Sequence, residues 1–153
     1  MNVISEASWS ELEAKLNELG GWYYTGRYAV YLLAQKYLGE KPEYKALDIM
    51  LEQPEFMKSE LKKIGVEEDF EVEGHQVSFP DGDFKADEFE QIGNAWALDS
   101  ELLRDIYTAQ VDELLQKEEL TDAEEKQLDK KTARIELLDR IIAVKKVGKP
   151  FNK

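Results

Sequence analysis

Any chemistry in this chain would have to come from one histidine, seven tyrosines and thirty-three carboxylates, because it contains no cysteine. Without cysteine there is no disulfide, thiol nucleophile, thiolate-bound zinc or iron–sulfur cluster. His75 is the only histidine, which excludes paired-histidine metal sites and makes any Ser–His–Asp arrangement depend on it. It falls in Gly74-His75, the two-residue loop of a predicted hairpin. A base there is exposed and poorly oriented, so His75 reads as an ordinary loop residue. Asp81-Gly82-Asp83, with Asp87 and Glu88 beyond, resembles the start of a cation loop. The spacing fails: position five of a calcium loop falls on Lys85, and position six, where glycine is required, on Ala86. A solvated turn leading into an acidic helix start accounts for it better. Paired carboxylates occur at Glu67, Glu68, Asp69, Glu71, Glu73, Glu88 and Glu90. Acid–base catalysis needs two of them in a cleft with separated pKa values, and adjacency in so acidic a chain carries no such information. No metal and no cofactor is expected.

A second grouping is Tyr23-Tyr24-Thr25-Gly26-Arg27-Tyr28. Aromatic rings beside a base can stack nucleotides. No basic groove accompanies them, and Gly26 belongs to no phosphate-loop pattern, so core packing is the better reading. Buried tyrosine hydroxyls need partners, however, so one edge of this segment should reach the surface. A pocket there, formed by Tyr24, Arg27 and Tyr28 with Arg27 holding an anion, is the small-ligand or enzyme alternative.

Charge is the strongest departure from an ordinary domain. The net charge is −13, and it is unevenly placed: −2 over residues 1–65, −17 over 66–125 and +6 over 126–153. Direct binding to nucleic acid or to an anionic membrane is disfavoured, and a basic protein surface is the favoured partner. The acidic block can be a solubilising face, or a surface that imitates nucleic-acid phosphates. The leading expectation is a small non-enzymatic binding module or inhibitor. Its docking residues would be Glu67, Glu68, Asp69, Glu71, Glu73, Asp81, Asp83, Asp87, Glu88 and Glu90. By analogy of class, phage and mobile-element anti-defence inhibitors act in this way. A third reading is an assembly subunit that dimerises through its C-terminal helices.

The elements that would position these residues follow from periodicity. Ser8-Trp9-Ser10-Glu11 is a capping box, followed by Trp9, Leu12, Leu16 and Leu19 at helical spacing and ended by Gly20-Gly21. Trp22–Leu38 is apolar around its whole circumference at about 100° per residue, which predicts a central buried helix. Pro42 opens a predicted third helix with Tyr44, Leu47, Met50 and Leu51 inward. Gln53-Pro54 breaks it before a fourth, with Phe56, Met57, Leu61 and Ile64 inward. Alternation of Phe70, Val72, Val77 and Phe79 predicts a hairpin over 69–79, pairing Val72 with Val77 and Phe70 with Phe79. From Ala86, the spacing of Phe89, Ile92 and Trp96 reads as a helix interrupted at Gly93-Asn94. Asp99 or Ser100 caps a helix with Leu102, Leu103, Ile106, Tyr107, Leu114 and Leu115 on one side. Thr121-Asp122-Ala123-Glu124 is a second capping box. It opens a long helix to about Lys146, with Leu128, Ile135, Leu138, Ile141 and Ile142 inward, stopped by Gly148-Lys149-Pro150. The short link between these last two helices predicts an antiparallel helical hairpin.

The expected fold is therefore mainly α (α+β): about six helices around an aromatic central helix, one small hairpin, and a C-terminal helical hairpin. The 153 residues suit a single domain, with a division near residue 80 as the alternative. The N-terminus lacks the basic-then-apolar pattern of a secretory signal, and a cytoplasmic protein is expected.

Overall fold

The computed structural model describes residues 8–44, 46–66, 71–80, 82, 84 and 87–147. Among them run α1 (Trp9–Leu19), β1 (Trp22–Thr25), α2 (Gly26–Leu38), β2 (Ala46–Leu51), α3 (Pro54–Lys62), β3 (Glu71–Val72), β4 (His75–Ser78), β5 (Phe89–Ile92), β6 (Ala95–Leu98), α4 (Ser100–Leu115) and α5 (Asp122–Val147). The strands form one mixed sheet in the order β3-β4-β2-β1-β6-β5. β1 pairs antiparallel with β2 and parallel with β6, and β2 pairs parallel with β4. Strands from both sides of residue 80 thus share the sheet.

This corrects the expectation of a mainly helical domain with one small hairpin: a six-stranded sheet lies among the helices. Three predicted helical stretches account for the difference. The first four residues of the presumed central helix are β1, and only Gly26–Leu38 is helical. Gly26 sits at φ 65, a left-handed conformation that lets the chain turn from strand into helix. The presumed third helix is β2, in which Leu47, Ile49 and Leu51 alternate inward. The presumed helix from Ala86 is the β5–β6 hairpin, whose two-residue loop is Gly93-Asn94 with Gly93 at φ 62.

The predicted hairpin at 69–79 exists with a different register. Val72 pairs with His75, not Val77, and the loop is Glu73-Gly74, at φ 50 and 83 as a type I′ turn requires. The predicted Phe70–Phe79 pair lies partly outside the described residues, as do the Gly148-Lys149-Pro150 stop and most of Asp81–Ala86.

Pairing register sorts the sheet's two faces. Tyr24 lies beside Ile49 and Ala97, and Leu47 beside Val77. On this face Tyr24 packs edge-on to Tyr28 of α2 at 4.6 Å and accepts a hydrogen bond from the Trp9 indole of α1 at 2.9 Å. Trp22 Nε1–H donates to Asn17 Oδ1 at 3.1 Å, which ties the same face to the end of α1. On the opposite face, Tyr23 stacks on Phe89 at 5.4 Å and meets Phe84 at 5.2 Å, and Phe89 meets Trp96 edge-on. These rings form an aromatic layer on that face.

The helix signals that rested on capping hold. Ser8 Oγ accepts from the Glu11 N–H, and Asp99 accepts from the Glu101 N–H. Thr121 and Glu124 exchange hydrogen bonds reciprocally. α4 and α5 pack against each other, and α5 also packs on α2. Burial departs from expectation at Phe56, Ile106 and Leu115, which are exposed. No helix among the described residues is long and apolar enough to cross a membrane.

Candidate functional site

Charged and aromatic side chains gather in four places, of which the first and third hold residues singled out in the sequence. The first is a charged cluster around Glu90 on β5. Its carboxylate accepts from Tyr37 Oη at 2.7 Å, Lys36 Nζ at 3.0 Å and Lys145 Nζ at 3.1 Å. Lys145 also reaches Asp99 at 3.3 Å and Ser100 at 3.2 Å. Burial alone would raise the Glu90 pKa, but the hydrogen bonds from Tyr37, Lys36 and Lys145 outweigh it, and the net shift is downward. Burial and the same carboxylate push the Tyr37 hydroxyl up. Glu90 is thus consumed inside the protein, clamping α2 and α5 to the edge of the sheet, and is not open to a partner.

The other acidic candidates are dispersed. Glu71 is half-buried. Glu73 is exposed, and its carboxylate accepts the Trp9 backbone N–H at 2.9 Å. Asp87 and Glu88 are exposed ahead of β5. Glu67, Glu68, Asp69, Asp81 and Asp83 lie outside the described residues. His75 is not at a free loop tip: it begins β4, stacks on Tyr44 at 5.1 Å and packs against Trp9 at 5.0 Å. No three His, Asp or Glu side chains among the described residues are placed to hold a metal ion.

The second place is the tip of the α4–α5 hairpin. α5 has 26 residues, about 39 Å at the usual helical rise. The core cluster includes Leu103, Tyr107, Leu138 and Ile141 from these helices, but not Leu114, which is buried outside it. Val111, Leu120 and Leu128 likewise lie apart from the core, so the hairpin reaches past the body. Its tip carries six exposed carboxylates: Asp112, Glu113, Glu118, Glu119, Asp122 and Glu125. Lys117, the one base between Asp112 and Glu125, is paired with Glu124. Leu115 stands among them, 62% exposed.

No family model, curated protein or solved structure matches this chain.

The third place is the tyrosine cluster. Tyr24 is fully buried, accepts from Trp9 and donates to Glu13 Oε2 at 2.8 Å. Burial, reinforced by Glu13, drives its pKa far up, so it stays neutral. Tyr28 is buried among Trp9, Tyr24, Tyr31 and Tyr44, and burial raises its pKa too. Neither lines the cavity beside Arg27. Arg27, the third member of that expected pocket, does: it borders a cavity of about 220 Å³ together with Pro42, Glu43, Tyr44, Lys130, Ala133, Arg134 and Leu137.

Beside that cavity is the fourth place. Arg134 and Lys131 of α5 lie over the Tyr107 ring at 5.5 and 5.8 Å. Burial, then the nearby positive charges of Arg134 and Arg27, lowers the Lys131 pKa. Asp48, on β2 next to Gly26, has its pKa raised by burial against the opposing pull of Arg27. Sequence reasoning found Arg27 but missed its companions on α5. The available signal was the basic spacing Lys130, Lys131, Arg134 within an otherwise acidic chain, which puts these side chains on one stretch of one helix.

Proposed function

We propose that this protein is a non-enzymatic binding module that docks the acidic tip of its α4–α5 hairpin on a basic surface of a partner protein. The observation that carries this reading is the projection of the tip beyond the core, with six exposed carboxylates around exposed Leu115. A charged, projecting hairpin meets a partner before the body does, and its field steers the encounter. Leu115 supplies apolar area at the centre of a polar rim, the usual layout of a protein interface. A nucleic-acid-binding groove is the basic surface that a row of carboxylates fits best. Glu90, whose charge is internally matched, is left out of this docking surface.

The test is capture of binding proteins by the wild-type chain and by a Glu113→Gln/Glu118→Gln/Asp122→Asn variant at about 0.05 M and 0.5 M salt. The expected result is a basic protein held by the wild type, released at high salt and absent from the variant. Capture that ignores salt, or that the variant retains in full, overturns the reading. A mass in solution twice that of the chain, lost in the same variant, would instead make the hairpin a self-association surface.

A further inference from the structure

We infer that the cavity between the first turn of α2 and the middle of α5 is a binding site for the phosphoryl group of a small phosphomonoester. The first argument is an imbalance of charge. Lys15, Lys36, Lys63, Arg104, Lys117, Arg140 and Lys145 each lie within 4 Å of a carboxylate. Arg27, Lys130 and Arg134 form no such pair among the described residues, although the chain carries thirteen more acids than bases. All three border one cavity. Leaving cations together in a protein with carboxylates to spare costs like-charge repulsion; the Lys131 pKa beside them is lowered first by burial and then by the charges of Arg134 and Arg27. An anion between them relieves it.

The second argument is the backbone. The first turn of α2 contains no acidic residue, and Thr25 at its N-cap makes no side-chain capping bond. Its N–H groups therefore add partial positive charge on the side where Arg27 stands. The third is the wall. Pro42, Tyr44, Ala133 and Leu137 give the cavity apolar surface, which strengthens charge-assisted hydrogen bonds formed against it. Two planar guanidinium forks match the oxygens of a phosphate, and Lys130 adds a point charge at the exposed rim.

Size and the remaining polar groups narrow the ligand. A cavity of about 220 Å³ is below the range of about 300–1,000 Å³ that holds drug-sized molecules. It admits a phosphate on a short carbon skeleton. The Tyr44 ring is already packed against Tyr31 at 4.7 Å, Tyr28 at 4.8 Å and His75 at 5.1 Å, so it offers no free base-stacking platform. Glu43 is the one carboxylate on the wall, and it supplies an acceptor for a ligand hydroxyl. Asp48, on the strand side, feels the charge of Arg27 but forms no ion pair with it.

The test is isothermal titration calorimetry of the full chain with inorganic phosphate, glycerol phosphate and glycerol, with sodium chloride at matched ionic strength as control. Saturable single-site heat is expected from the two phosphates and none from glycerol or chloride. Binding should weaken on the order of tenfold or more in Arg27→Leu and in Lys130→Glu. Lys130 is exposed, so its variant keeps the fold and decides the matter if the Arg27 variant does not. The hairpin-tip variant described above should bind phosphate as the wild type does, which separates this site from the docking surface. Heats indistinguishable from chloride, or affinity unchanged in Lys130→Glu, overturn the inference.

Discussion

Replacing Glu90 tests whether a single carboxylate joins α2, α5 and the sheet edge. Its side chain is 21% exposed and those of Lys36 and Lys145 are 33% and 28%, so these are partly desolvated contacts. Hydrogen bonds to a charged group contribute about 1.5–3 kcal/mol each, and Glu90 accepts three. The three do not add, because Lys145 keeps Asp99 and Ser100 and Lys36 can turn to water. Glu90→Ala should therefore cost about 2–3 kcal/mol. Glu90→Gln, which keeps an acceptor but leaves Lys36 without its carboxylate and Lys145 with Asp99 alone, should cost about 1–2 kcal/mol. The assay is urea unfolding followed by tryptophan fluorescence. With a slope of about 1–3 kcal/mol per molar, the Ala variant should move the midpoint by about 1 M. The pH dependence has a fixed sign. The Glu90 pKa is lower in the folded protein than in the unfolded chain. Its contribution is complete above the unfolded value of about 4.3 and is lost as pH falls through the folded value. Wild-type stability should thus fall more steeply than that of Glu90→Gln in that acid window. A loss under about 0.5 kcal/mol in Glu90→Ala, or identical acid profiles, would refute the clamp.

Two further substitutions probe how the sheet is joined to its helices. Tyr24→Phe removes the acceptor of the Trp9 indole N–H and the donor to Glu13. Urea unfolding should show a loss of about 1–2 kcal/mol, since Trp9 remains half-exposed to water, and an unchanged midpoint would contradict these bonds. Gly26→Ala places a Cβ at φ 65, within 2.5 Å of Asp48 Oδ2. The side chain can swing away but the backbone strain cannot, so about 1–2 kcal/mol should be lost and should persist in the Asp48→Ala background. A neutral Gly26→Ala would mean that β1 does not turn into α2 at this residue.

What the chain's pattern conveys about the fold depends on the kind of signal. Capping is local chemistry, and each of Ser8, Asp99 and Thr121 starts a helix where its side chain and neighbours say it should. Periodicity over a few residues is weaker. Trp22–Thr25 is a continuous apolar run, and such a run fits a buried strand as well as a buried helix. The glycines at 20, 21 and 26 that bracket it, and its aromatic content, favour the strand. In Ala46–Leu51, Leu47, Met50 and Leu51 satisfy a helical spacing while Leu47, Ile49 and Leu51 satisfy alternation. Pairing with β1 and β4 selects the second. Phe89, Ile92 and Trp96 are three and four apart by coincidence of two strands meeting at Gly93-Asn94, the dipeptide that should have been read as a hairpin turn.

The same distinction explains the candidate sites. Net charge is visible in composition, but whether a carboxylate is available depends on what lies opposite it, and that is set by long-range packing. Glu90 and Glu113 are alike as letters in an acidic stretch. One meets Lys36 and Lys145, brought from residues far apart in the chain, and becomes a strut. The other stands exposed on a hairpin tip beyond the core. Arg27 shows the converse. Alone it is a base in an aromatic segment, but β1 ends at Thr25 and sets it in the first turn of α2. α5 packs on α2 and brings Lys130 and Arg134 to the same cavity. The fold thus separates charge of both signs from its counter-charge, at a protruding acidic tip and at a small basic recess. Each separation costs stability, and a charged ligand at either place would recover it.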